Sequence, residues 1–148
     1  MAGRYLDAPD DLTEAVRACT LHLPDVVEQK AWAGVRWQVR RKTFGQVLDV
    51  IRDGQPTSTV LTFRAAAEEL AALRHAGPPF YVAGWGRDVM AMVLTQETDW
   101  TEVSELLTES FCVMAPKTLV AAVREQSVDG IATSRSNASA VTLGVPRR

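Results

Sequence analysis

From residue 35 the chain alternates. Val35, Trp37 and Val39 are apolar, whereas Arg36, Gln38 and Arg40 are polar or basic. A strand here sends its apolar side chains to one face and its bases to the other. A second strand is predicted from Thr43 to about Ile51. The intervening Arg41 and Lys42 are not the Asn-Gly type that favours a tight two-residue turn, which predicts strain, a bulge or a longer loop. The segment "RDGQPTS" reads as a turn and "TVLTF" as a third strand, Thr59 to Phe63.

Before and after these strands the period changes to that of a helix. Leu12, Ala15, Val16, Cys19 and Leu23 recur at helical spacing behind Asp11 and Glu14, a pair spaced as a capping box, and Pro24 stops the helix near His22. In "AAAEELAALRHA" the stripe is Ala66, Leu70 and Leu73, ended by Gly77, Pro78 and Pro79. "FYVAG" and "DVMAMVL" read as strands around Trp85, with Met90, Met92 and Leu94 on one face. The last strong helix opens with Asp99 and Glu102 as a cap pair. Val103, Leu106, Leu107, Phe111 and Met114 line it, and Pro116 interrupts it before "KTLVAAV" adds a turn or two. Beyond about Glu125 the text is rich in Ser, Ala, Thr and Gly without a period. One domain over 1–124 and a flexible tail over 125–148 are therefore expected.

The order α-β-β-β-α-β-β-α, with short connections, predicts an α+β domain: an antiparallel sheet with helices packed on one face. A single βαβ-like unit is too little for a doubly wound fold. A chain of 148 residues with 47% hydrophobic and 23% charged content can bury one core. No apolar run approaches the roughly 18 residues of a membrane span, and the polar, acidic start lacks the character of a signal peptide, so a cytoplasmic, non-membrane protein is expected. Cys19 and Cys112 fall on apolar positions without CxxC spacing, which favours buried thiols over a disulfide or metal site.

A net charge of −2 weighs against a general DNA binder, but the charge is segregated. Residues 36–52 hold Arg36, Arg40, Arg41, Lys42 and Arg52 against Asp49 alone, while 95–114 hold five acids and no base.

Several segments together carry a resemblance: "LPDVVE", "WQVRRKTFGQV", "TFRAAAEELAAL", "PPFYVAGWG" and "TDWTEVSELLTESFCVMAPKTL". With Trp37, Val39, Lys42 and Phe44 in an aromatic-x-Val-x-x-Lys-x-Phe pattern, the chain resembles the MmcQ/YjbR family over about Leu12 to Val123. It departs from that pattern at Val35, Arg41, Arg64 and Val89, where relatives often carry Pro, Gly, Lys and Trp. The resemblance implies a CyaY-like fold, as in frataxins, and DNA binding through β wings.

The leading expectation is accordingly a non-catalytic binding protein that meets DNA phosphates through Arg36, Arg40, Arg41, Lys42 and Arg52, with Trp32 or Trp37 available for stacking. The competing account is a solvated sheet face whose bases deter edge pairing. The alternative function is a protein- or small-ligand-binding module using residues 78–86, with Tyr81 and Trp85 as contacts. "GWGRDV" lacks the third glycine and the following helix of a dinucleotide site and reads as a bend between strands. Glu102, Glu105 and Glu109 line one side of the last helix without a histidine, so a solvated face is favoured over a metal site. His22 and His75 each suit a helix end, and neither joins a recognisable nucleophile. No catalytic residue, cofactor or metal is expected, and the chain is expected to be a monomer or a homodimer.

Overall fold

The computed structural model describes residues 4–126. They fall into two compact units that divide between Ala115 and Pro116. In the second unit residues 117–126 are helical, directly after Pro116.

The first unit runs β1 (Arg4–Leu6), α1 (Asp10–Ala18), β2 (Val26–Lys30), β3 (Val35–Val39), β4 (Lys42–Ile51), β5 (Ser58–Arg64), α2 (Ala67–Ala76), β6 (Phe80–Val82), β7 (Val89–Leu94) and α3 (Trp100–Met114). Its seven strands form one antiparallel sheet in the order β2-β3-β4-β5-β7-β6, and β1 pairs with the far half of β4, in line with β3. β5 and β6 run parallel with β7 between them, so α2 forms a crossover split by one strand. The expected α+β class and antiparallel sheet are present.

Two elements were not predicted. β1 and β2 are short and almost fully exposed, so no buried face imposes alternation on "RYL" or "VVEQK". The first helix also differs. It begins after Pro9, whose carbonyl accepts from the Thr13 backbone N–H and hydroxyl, and Asp11 lies inside the first turn rather than at the cap. It stops at Ala18, because Cys19 and Thr20 bond back three residues to Val16 and Arg17 and the Thr20 hydroxyl takes the Arg17 carbonyl as well. His22 therefore lies beyond the helix. Asp99 caps α3 as expected, accepting from the backbone N–H groups of Thr101 and Glu102.

α3 packs across β4 and β5, and α1 packs against α3. Trp37, Val39, Phe44, Val47, Leu61, Phe63, Met90 and Met92 of the sheet are buried, as are Val103, Leu107 and Phe111 of α3. The Phe44 and Phe111 rings meet edge to face at 5.5 Å. Trp37 opposes Gly45 while Gln38 opposes Thr43, so Phe44 is the extra residue of a β-bulge. A side chain at Gly45 would come within 2.9 Å of Leu107, so this glycine lets α3 lie close to the strand. Ser110, fully buried, donates to the Phe44 carbonyl and accepts from the Arg64 N–H at 2.8 Å, satisfying polar groups that the bulge and strand end leave over.

One ionic cluster ties α1 to the sheet. Arg17 forks onto both oxygens of Glu28 at 2.8 Å and also meets Glu14 at 2.8 Å. Glu28 in turn accepts from the indole N–H of buried Trp37 at 3.0 Å. The Arg17 guanidinium, aided by the Trp37 N–H, holds the Glu28 carboxyl below its ordinary value of 4.5, against a smaller opposing effect of burial. Asp7 does similar work for the β2–β3 loop, accepting from Lys30 Nζ at 2.6 Å and from the Gly34 N–H at 2.8 Å.

Because the folded pKa of Glu28 is depressed, its contribution is complete above about pH 4.5 and is lost as the pH falls through the folded value. Glu28→Gln should therefore lower stability at pH 7 and flatten the loss of stability on acidification, as urea titrations at several pH values would show. Gly34→Ala should cost about 3 kcal/mol. Its Cβ would stand 1.8 Å from the Val47 carbonyl oxygen at a φ of +72°. Gly54→Ala, with a φ of +76° and open space around it, should cost only about 1 kcal/mol in the same denaturation experiment.

Candidate functional site

The face of the sheet turned away from α3 changes character along its strands. Successive side chains alternate, so the registers define cross-strand rows. One row reads Gln29, Arg36, Gln46, Thr62, Ala91, Tyr81 from β2 to β6. Toward the hairpin end lie Gln38, Thr43 and Arg64; toward the other end lie Leu48, Val50 and Val60. The face is thus polar and basic at one end and apolar at the other.

The apolar end carries a small second core of Ala33, Leu48, Val50, Val60 and Ala91, with Tyr81 and Ala83 packed against it. Three rings lie at this end. Tyr5 and Trp32 meet at 5.2 Å, Tyr5 and Trp85 at 5.9 Å, and Trp32 and Trp85 at 5.6 Å between centroids. They remain 36%, 64% and 39% exposed for Tyr5, Trp32 and Trp85, which is unusual for large aromatic side chains. Gln46, itself buried, donates to the Ala33 carbonyl at 2.9 Å and so pins the loop that presents Trp32.

Two hollows share Trp85. The smaller, about 20 Å³, lies among Tyr5, Arg52, Tyr81 and Trp85 over the second core, with room for little more than one water. The larger, about 190 Å³, runs beside it between Thr43, Gln46, Thr62, Arg64, Trp85 and Val89. The Arg52 guanidinium lies 5.8 Å from the centre of the Tyr81 ring, within cation–π range. Arg64 is ion paired with Asp88 at 2.7 Å. The strand acids Glu28 and Asp49 lie on the opposite face, where Glu28 opposes Trp37 and Asp49 accepts from Thr59.

The structure brings the two expected ligand contacts, Tyr81 and Trp85, to one hollow and adds Arg52 to it. The expected basic hairpin does not form one surface. Arg36 lies on the face just described, where it donates to Gln29 at 3.0 Å and leaves a buried Nε–H without a partner. Arg40 does not share that face with Arg36, as strand alternation predicted, because it has left the strand. Arg40 and Arg41 form a two-residue turn with φ of +50° and +69°, and Arg40 is paired with Asp25 at 3.2 Å. Arg41 and Lys42 stand exposed at the tip, with no ion pair among the described residues. Of the two tryptophans considered for stacking, Trp37 belongs to the core at 1% exposure and Trp32 stands outside.

His22 lies 2.8 Å from the Thr108 hydroxyl, but that hydroxyl donates to the Ser104 carbonyl, so histidine is the donor and no nucleophile is activated. Burial lowers the pKa of His22 and raises that of Cys19, whose thiol points at the Trp100 carbonyl. Cys112 is half-buried rather than buried. Among the described residues no group of three or more His, Cys, Asp or Glu converges on a metal position, and no helix is long and apolar enough to cross a membrane.

Sequence reasoning missed Tyr5, Gln46 and Thr62 as parts of this face and noted Arg64 only as a departure from the family pattern. Their signal was the alternation of Gln46, Leu48 and Val50 against Val47 and Asp49, which reads as two used faces rather than one.

The fold and this surface define an α+β domain with helices on one side of an antiparallel sheet and an aromatic and basic surface on the other. Residues 21–113 match the family model described as YjbR, and the chain belongs to the YjbR family. No curated protein and no solved structure matches it.

An L-residue with a side chain held at positive φ costs about 1 kcal/mol, which glycine avoids. Arg41→Gly should therefore stabilise the hairpin by about that amount and raise the melting temperature by roughly 4 °C, measurable by calorimetry.

Proposed function

We propose that this member of the YjbR family is a non-catalytic binding protein that takes its ligand on the sheet face turned away from α3, around Tyr81, Trp85 and Arg52. One observation carries the reading: Trp85 stands partly exposed between a small hollow over the second core and an open polar groove, on a face whose strand positions bring arginines and no carboxylate. A face built only to be solvated has no need of three exposed rings in contact. Small-ligand binding should shift the Trp85 indole and Tyr81 ring resonances in an NMR titration and be lost in Trp85→Leu. The Trp37 indole signal, fixed by Glu28, should be unmoved and report an intact fold. Ligands that shift only resonances outside this face would refute the proposal.

A second reading, sequence-tolerant contact with DNA through the hairpin, is favoured by the exposed, unpaired tip at Arg41 and Lys42. Arg40 would add a third phosphate contact on leaving Asp25. Three phosphate contacts predict a loss of affinity of about 40-fold between 50 and 200 mM salt. Arg41→Glu with Lys42→Glu should then abolish binding to a short DNA duplex in a fluorescence-anisotropy titration, whereas binding indifferent to both salt and substitution eliminates this reading.

A further inference from the structure

Resting on the proposed binding face, we infer that its ligand is a small planar aromatic molecule bearing an anionic group, with the ring against Trp85 and the anion toward Arg64. The gradient along the face selects for such a molecule. Val89 and the indole of Trp85 offer apolar surface to a ring, while Gln46, Thr62 and Arg64, the last directly opposite Val89 across the strands, offer polar groups beside it. A volume of about 190 Å³, against about 20 Å³ for the hollow beside it, takes a body of several heavy atoms such as one or two fused rings with a carboxylate.

Charge decides the sign of the ligand. The Arg64–Asp88 contact is a single one, Nη1 to Oδ1, and a guanidinium has five N–H donors, so others remain for a second acceptor. The backbone of Arg64 is held by Ser110, which fixes the base of the side chain before any ligand arrives. Because Arg64 and Asp88 cancel, the excess comes from Arg36, beside Gln46 in the same row, and from Arg52, beside Tyr81. A cationic ligand fits neither the arginines nor the rings. Tyr5 meets Trp32 and Trp85 edge to face and the two tryptophans meet at a tilt, with centroids 5.2 to 5.9 Å apart, which leaves no gap between the rings for an ammonium group.

The test compares two probes of one shape, 2-naphthoate and the neutral 2-naphthamide, titrated into the isotope-labelled full chain. Naphthoate should shift the Trp85 indole N–H and the Arg64 Nε–H and bind about tenfold more tightly than the amide. Arg64→Gln should erase that preference and Arg64→Lys should keep part of it, each with the Trp37 indole signal in place. Equal affinity for the two probes, or an unchanged preference in Arg64→Gln, overturns the anionic class while leaving the binding face standing. Shifts that miss Trp85, or no shift with either probe, overturn the face and this inference together.

Discussion

Every feature of the molecule depends on β4 being covered on both sides. It is the longest strand, it pairs with β3 and β1 along one edge and β5 along the other, and residues 44–48 are all buried. A strand buried on both faces must find apolar partners twice. α3 supplies the first set through Phe111 and Leu107, with the bulge at Phe44 and the bare backbone of Gly45 setting the distance. The second set cannot come from α3. It comes from Ala33, which the Asp7–Gly34 and Gln46–Ala33 hydrogen bonds hold to the sheet, and from Tyr81 and Ala83, with the Tyr5 and Trp85 rings around them.

That second cover is thin, and its thinness gives the protein a chemically distinctive surface. Three rings borrowed from the N-terminal strand and two loops shield only the apolar end of the face. The polar end stays open beside Arg64. The bases concentrated between residues 36 and 52 are thereby divided between uses: Arg52 lies over Tyr81, Arg36 joins the open face, Arg40 is neutralised by Asp25, and only Arg41 and Lys42 remain at the tip. A positive charge count over a short segment is not the same as a positive surface.

The strands with one clear inward face were legible in the sequence. Val35, Trp37 and Val39 alternate cleanly, α3 announces itself with Asp99 and a stripe at spacings of three and four, and the segments that resemble the YjbR family lie largely within the matched region. What escaped had physical reasons. β1 and β2 expose nearly every side chain and leave no hydrophobic period to read. The end of α1 is decided by the hydroxyl of Thr20 competing for a helical carbonyl, a choice that Pro24 obscured. The aromatic surface draws Tyr5, Trp32 and Trp85 from distant parts of the chain, and only the register of β1 on β4 and the tight approach of Gly34 bring them together. The tail expected over 125–148 lies, from residue 127, outside the described residues.

The two outer strands have a consequence for how copies of this chain behave together. At one border β6 has only three residues and follows Pro78 and Pro79, so little backbone is on offer there. At the other, β2 presents Glu28, Gln29 and Lys30, with Glu28 and Lys30 already engaged by Arg17 and Asp7. An incoming strand would meet a row of charged and polar side chains on one side or a stub on the other. Both β2 and β6 thus discourage the sheet from growing into a fibril, even though the strands between them are as apolar as those of many aggregating sequences.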